Sequence, residues 1–157
     1  MSMNRPLRRQ DRQLSEPESW ELLLAGTEGF LATVGEGGEP YVIAVNYVLV
    51  DWTIYVHSAR HGHKVDNLRS NPLACFSVIA HVKPGGNTTY YHSVVAFCRA
   101  RLLEEGDEWH QALVALGRKY MPQGCDPPFS NTLVIALDVR QLSGKANRPR
   151  PNPDTGN

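Results

Sequence analysis

An α+β barrel of about six antiparallel strands and three helices is the fold this sequence predicts, and three features point to it. Apolar and polar residues alternate with a period of two through most of residues 30–103, the signature of half-buried strands. The alternating runs are joined by short turns rich in Gly, Pro and Asp, which makes consecutive strands antiparallel. Residues 15–25, 64–70 and 107–120 switch to helical spacing. Strands in that number within 157 residues would leave exposed edges unless the sheet closes on itself or meets a second subunit.

The first helix starts at Ser15, which forms a capping box with Glu18, and Pro17 suits its first turn. Trp20, Leu23 and Leu24 share one face of it, and Gly26 ends it. A strand over Phe30–Val34 follows, then a Gly-Glu-Gly-Gly turn at 35–38. The next run, Tyr41–Val50, is apolar on both faces and is expected at the centre of the sheet, covered on both sides. Asn46 interrupts it, so its amide must bond inside the protein or to a ligand. A tight turn at Asp51-Trp52 leads into a strand over Thr53–His57. A helix over Lys64–Ser70 stops at Asn71-Pro72. Strands over Leu73–Val82 and Tyr90–Leu103 flank the turn Lys83-Pro84-Gly85-Gly86. Trp109, Leu113, Leu116 and Tyr120 then recur at helical spacing over Asp107–Tyr120 and read as core packing, and Leu133–Val139 is the last strand.

Length and composition narrow the function. A chain of 157 residues is one domain large enough to bury a core without disulfides or a structural metal. Residues 1–14, with Arg5, Arg8, Arg9 and Arg12, read as a basic flexible arm, and residues 146–157 as a disordered polar tail, leaving a body over 15–145. Sixteen Lys and Arg balance sixteen Asp and Glu, which excludes a uniformly basic nucleic-acid binder. The arginine arm is read as a solvated tail or a subunit contact, and nucleic acid is not an expected partner. The three cysteines, Cys75, Cys98 and Cys125, cannot all pair, and residues 1–13 hold no apolar leader segment, so a reducing cytoplasm is the expected setting. No apolar run approaches the ~20 residues that span a bilayer.

Chemistry concentrates in His57-Ser58-Ala59-Arg60-His61-Gly62-His63-Lys64. This segment leaves a strand, turns through small residues and enters a helix, the layout of an anion site. Free N–H groups and the positive dipole end of a helix favour phosphate, Ser58 can donate a hydroxyl, and Lys64 and Arg60 can neutralise charge. Taken by itself the segment is equally a solvated basic connection. His57, His61 and His63 invite a metal reading, but no Asp, Glu or Cys stands beside them at ligand spacing. His57 is either a strand-end histidine bonded to a neighbour or a group that donates a proton to, or orients, a ligand. No nucleophile elbow or triad is present. Cys75 and Cys98 read as core and Cys125 as the thiol to test for reactivity. Tyr91, Ser93, Arg99 and Arg101 share one face of a long strand, which therefore meets solvent, a partner or an anion.

Five ordered segments together resemble the pyridoxamine 5'-phosphate oxidase-like split-barrel superfamily, and within it the nitroimidazole-resistance (Nim-type) branch. They are 20–27 with 30–34 and 40–47; 54–59; 62–72; 91–101; and 143–147. The resemblance implies a homodimer of six-stranded antiparallel split barrels with two FMN sites at the subunit interface. Val45, Asn46 and Tyr47 would line the isoalloxazine ring. Ser58, His63 and Lys64 would hold the phosphate, and His57 would stand beside the flavin and substrate pocket as the catalytic histidine. Tyr91 and Ser93 would approach from the second subunit. The implied reaction passes electrons from a nicotinamide donor through FMN to a small nitroaromatic-like acceptor. Two features depart from the branch: His63 stands where many relatives carry Arg, and the chain runs after Asn147 into a Pro-rich tail. Relatives that carry haem or a deazaflavin supply alternative cofactors, and a non-catalytic flavin- or haem-sequestering protein on the same barrel is the alternative function.

Overall fold

The computed structural model describes residues 6–121, 123–124 and 131–149. In chain order these form α1 (Glu16–Ala25), β1 (Glu28–Val34), β2 (Pro40–Asn46), β3 (Val48–Val50), β4 (Thr53–Ala59), α2 (His63–Ser70), β5 (Leu73–Pro84), β6 (Thr89–Leu103), α3 (Asp107–Tyr120) and β7 (Thr132–Asn147). A short 3-10 turn, Gln10–Arg12, precedes them. The α+β class and three α-helices agree with the sequence reading. The strands make one antiparallel sheet in the order β2-β1-β5-β6-β7-β4-β3. Its two edge strands, β2 and β3, are consecutive in the chain and separated only by Tyr47. The sheet must therefore curl until its edges meet.

That junction corrects the expectation of six strands and of a central strand over Tyr41–Val50. The run divides at Tyr47 into two edge strands, which makes seven. The reason is a hydrogen-bond exchange across the fold. The Tyr47 N–H donates to the Tyr120 hydroxyl at 2.9 Å and the Tyr47 carbonyl accepts from it at 2.6 Å, so this residue's backbone is satisfied outside the ladder. Far from being covered on both sides, β2 leaves its outer face open, with Val42 62% exposed.

The inner face of the curl forms the main core. Leu31, Ile54, Val56, Phe76, Val94, Ile135 and Leu137 are fully buried there, with Leu23 of α1 and Val65 of α2 packed among them. The capping box at Ser15 and Glu18 forms as the sequence requires. The buried face of α1 carries Ser19, Leu22 and Leu23, whereas Leu24 is exposed. Asn67 of α2 donates to the Thr33 hydroxyl at 3.0 Å, a buried bond that seats the helix on β1.

A second cluster lies on the outer face, where Ala112, Leu113 and Leu116 of α3 cover Val134. The first turn of α3 is tied down by Arg101, whose guanidinium bonds both Glu108 (2.7 Å) and Asp138 (2.8 Å). The same cation holds both carboxylates below their usual range. Arg101 is thus committed within the protein.

At the C-terminal end β7 runs to Asn147, eight residues past Val139, where the last strand is expected to end, and two past the expected limit of the body at 145. Ala146 and Asn147 are both buried, and the Asn147 amide donates to Thr88 Oγ1 at 2.9 Å and to the Thr89 carbonyl at 2.7 Å. The end of the expected arm also docks, since Gln13 bridges Lys145 and Leu14 is buried. Cys98 is core, its thiol pushed up to about 12 by burial, and Cys75 is half-buried. Cys125 lies outside the described residues.

Candidate functional site

Strand β4 alternates its side chains between two environments. Ile54, Val56 and Ser58 point into the barrel, and Tyr55 and His57 point to the outer face. His57 and Ser58 therefore serve opposite sides of one strand. On the outer side His57 faces a cavity of about 310 Å³ beneath α3, lined also by Asn46, Leu113, Leu116, Tyr120 and Thr132. Asn46, the last residue of β2, and His57 of β4 reach this cavity together because the break at Tyr47 brings the two edge strands side by side.

The expected anion site sits where β4 hands over to α2. Gly62 caps the helix at φ +128°, a backbone conformation that side chains rarely adopt, and its carbonyl accepts from the N–H groups of Val65 and Asp66. His63 and Lys64 form the open first turn. The Tyr41 ring of β2 stacks on the His63 imidazole with centroids 4.1 Å apart. Lys64 is half-buried and has no ion-pair partner among the described residues. Ser58 is 5% exposed, and its Oγ is buried without a hydrogen-bond partner among the described residues. A buried orphan hydroxyl costs about 1–3 kcal/mol. A cost of that kind, on the strand end that leads within five residues into an open helix N-terminus and a lysine with no ion-pair partner among the described residues, fits a bound phosphate group. Arg60, in contrast, is taken by Glu104 at 2.9 Å and does not serve the anion site.

Four residues expected to face the ligand do not line the His57 cavity, two of them, Tyr91 and Ser93, being expected to act from the second subunit. Val45 is half-buried and packs on the core. Tyr47 is fully buried, with its hydroxyl donating to the Leu23 carbonyl and its ring edge-on to Phe76 at 4.8 Å. Burial, with Tyr120 and Glu28 nearby, raises its pKa. Of the strand segment 45–47 only Asn46 lines the cavity, and Tyr47 is a framework residue. Replacing Tyr47 by Phe is expected to lower stability by about 1–3 kcal/mol, because the Leu23 carbonyl loses its donor; thermal melts check this. Tyr91 and Ser93 lie on the outer face of β6, Tyr91 beneath the Lys145 ammonium at 5.8 Å, away from the His57 cavity. Among the described residues no cluster of three ligating side chains could hold a metal.

Leu113, Leu116 and Tyr120 were expected to be plain core. They do pack in the outer cluster, and the same helix face also walls the cavity. Tyr120 does more, because its hydroxyl oxygen accepts from the Tyr47 N–H while its one hydrogen is shared between the Tyr47 and Thr27 carbonyls. Among the described residues no helix is long and apolar enough to cross a membrane.

Comparison with known proteins supports this architecture. The model of the pyridoxamine 5'-phosphate oxidase family matches residues 15–146. A solved structure named for a proposed role in 5-nitroimidazole antibiotic resistance, from Bacteroides thetaiotaomicron, superposes with TM-score 0.77 at 21% identity over 85% of this chain and 86% of its own. An FAD-binding protein from Mesorhizobium loti gives TM-score 0.68 at 25% identity over 87% and 98% of the two chains. The FAD and heme binding protein from Mycobacterium smegmatis gives 0.75 at 19% identity over 90% and 76%. No curated protein matches the chain significantly. The match spans nearly the whole folded body, and the chain belongs to the pyridoxamine 5'-phosphate oxidase family.

Proposed function

We propose that this protein is an FMN-dependent oxidoreductase that reduces a small nitroaromatic-like acceptor with electrons from a nicotinamide donor in a reducing cytoplasm. The observation that carries the reading is the buried Ser58 hydroxyl, without a hydrogen-bond partner among the described residues, at the end of the strand that leads through Gly62 into the open first turn of α2. Ser58, the Lys64 ammonium and the His63 imidazole together would hold the flavin phosphate. The family match and the flavin-binding names of similar structures support the choice of cofactor. FMN, held there, would supply the redox chemistry between a nicotinamide donor and the acceptor. The chain's own work is binding, orientation and exclusion of water. Asn46 offers an amide and His57 an imidazole to whatever occupies the cavity, and Leu113 and Leu116 keep it apolar.

A homodimer belongs to the same proposal. Phe30, Val42, Leu73 and Ile79, on β1, β2 and β5, are each about half exposed or more, an apolar face suited to a second copy. Tyr91 and Ser93 would then reach the partner's flavin.

The test is turnover. Protein loaded with FMN should oxidise NADH or NADPH in the presence of a nitroaromatic compound. Replacing His57 by Ala should lower kcat about tenfold, the worth of one hydrogen bond, with FMN retained. A flavin that neither nicotinamide reduces would instead favour the sequestering alternative.

A further inference from the structure

Resting on the assignment of the α2 turn to the flavin phosphate, the ring packed against His63 adds a control to that site. Tyr41 lies on β2 in step with Ile43 and Val45, which pack on the core. Across the ladder it stands opposite Thr33 of β1, the residue that accepts the buried Asn67 bond from α2. His63 and Asn67 are one turn apart on the same face of that helix. The Asn67 bond and the Tyr41–His63 stack therefore seat two successive turns of α2 on two neighbouring strands. The Tyr41 ring covers one face of the imidazole, with centroids 4.1 Å apart and planes inclined by 33°. The two ring nitrogens lie at the imidazole's edge and make no hydrogen bond or ion pair among the described residues. His63 is held by its face, and its nitrogens are left for a ligand.

The charged groups around this turn have other partners. Arg60 and Arg69 pair with Glu104, and Asp66 lies 3.7 Å from Arg69. Glu39, at the turn between β1 and β2, lies over Gly35. Lys64 and His61 are the remaining titratable neighbours along the chain. An imidazole gains its proton as pH falls through about 6.5, and an imidazolium gives phosphate a charge-assisted bond that the neutral ring does not. We propose that Tyr41 is a positioning residue that holds the His63 edge toward the flavin phosphate, and that His63 thereby makes cofactor retention depend on pH. Because the protonated ring binds phosphate more tightly, FMN binding takes up a proton, and affinity falls as pH rises. The second ionisation of the phosphate, near pH 6, works in the opposite direction, since it adds charge for Lys64 as pH rises.

The experiment titrates the full-length protein with FMN and with riboflavin, by fluorescence, at about pH 6 and about pH 8. His63→Gln is the reference, because it keeps His61 and the phosphate's own ionisation and lacks the titrating ring. Relative to that variant, the native protein should hold FMN about fivefold more tightly at the lower pH, with riboflavin unchanged. His63→Arg should hold FMN tightly at both. Calorimetry near pH 7, in buffers of different ionisation enthalpy, should show the native protein taking up about half a proton more per FMN than His63→Gln. Tyr41→Phe keeps the stacking face and should keep the pH dependence. Tyr41→Leu or the milder Tyr41→Met should lose at least about half of it, with riboflavin binding retained as the sign of an intact fold. Equal pH ratios and equal proton uptake in the native protein and His63→Gln overturn the proposal. A native ratio in the folded Tyr41 variants overturns the positioning role. Failure of the phosphate assignment reads differently, since Lys64→Ala would then cost FMN and riboflavin alike. An FMN-selective loss in that variant, beside a pH ratio that His63→Gln does not change, upholds the phosphate site and overturns this inference alone.

Discussion

Replacing Lys64 by alanine weakens FMN binding by about 10- to 100-fold and leaves riboflavin binding unchanged, because a charge-assisted hydrogen bond to phosphate is worth about 1.5–3 kcal/mol and riboflavin has no phosphate to lose. The argument begins at Gly62, whose positive φ turns the chain so that α2 opens with His63 and Lys64. It continues with Lys64 itself, which has no carboxylate partner among the described residues, while the neighbouring Arg60 and Arg69 both pair with Glu104. Ser58 supplies an internal control of opposite sign. Its buried Oγ has no hydrogen-bond partner among the described residues, so Ser58→Ala should raise the melting temperature of protein prepared without flavin while weakening FMN binding. A serine serving only the framework would lower stability and leave FMN binding unchanged. Fluorescence titration with FMN and with riboflavin, alongside melts of the flavin-free forms, separates these outcomes. Equal losses for both flavins in the Lys64 variant would place the lysine away from the phosphate.

Replacing Phe76 by alanine should cost about 3–5 kcal/mol and lower Tm by roughly 10 °C. Phe76 is fully buried on β5, edge-on to Tyr47, where the two edges of the curled sheet meet. Gly29 on β1 exists to admit this ring, since a Cβ at that position would overlap it. The two sites are therefore coupled. Gly29→Ala should be strongly destabilising in the native protein and much less so when Phe76 is already alanine, a non-additivity that a double-mutant cycle in urea measures. Additive effects would show that the ring does not fill the space at Gly29.

The legibility of this fold follows the range of the interactions that make it. Helix α1 was readable to its cap because the Ser15 and Glu18 bonds are three residues apart, and α3 because its apolar face repeats within the helix. The break at Tyr47 was not readable. Residues 41–50 show no Gly, Pro or charge, and what divides them is a hydroxyl 73 residues further along the chain. The end of β7 was missed for a related reason. Beyond Val139, where the expected strand ends, residues 140–147 mix charged and polar residues with Gly144 and lead into a Pro- and Asn-rich run, and only their pairing with β6 reveals them as strand.

The candidate site divides in the same way. The His57–Lys64 segment was visible because a strand end, a glycine and a helix start are contiguous in sequence. That His57 and Ser58 face opposite sides follows from strand alternation, but the family resemblance alone grouped them with one ligand. Leu113, Leu116 and Tyr120 could not be recognised as cavity walls, because a helix face that packs a core and one that borders a cavity carry the same apolar period. The orphaned Ser58 hydroxyl, on which the flavin assignment most depends, is a property of packing that a sequence does not display.

The most direct test of that assignment is an absorption spectrum of the purified protein after addition of FMN and removal of the excess on a sizing column. The account predicts a two-banded flavin spectrum that co-elutes with protein at twice the mass of the 17.5 kDa chain. A colourless protein, or one whose only absorbing cofactor is haem, would contradict it.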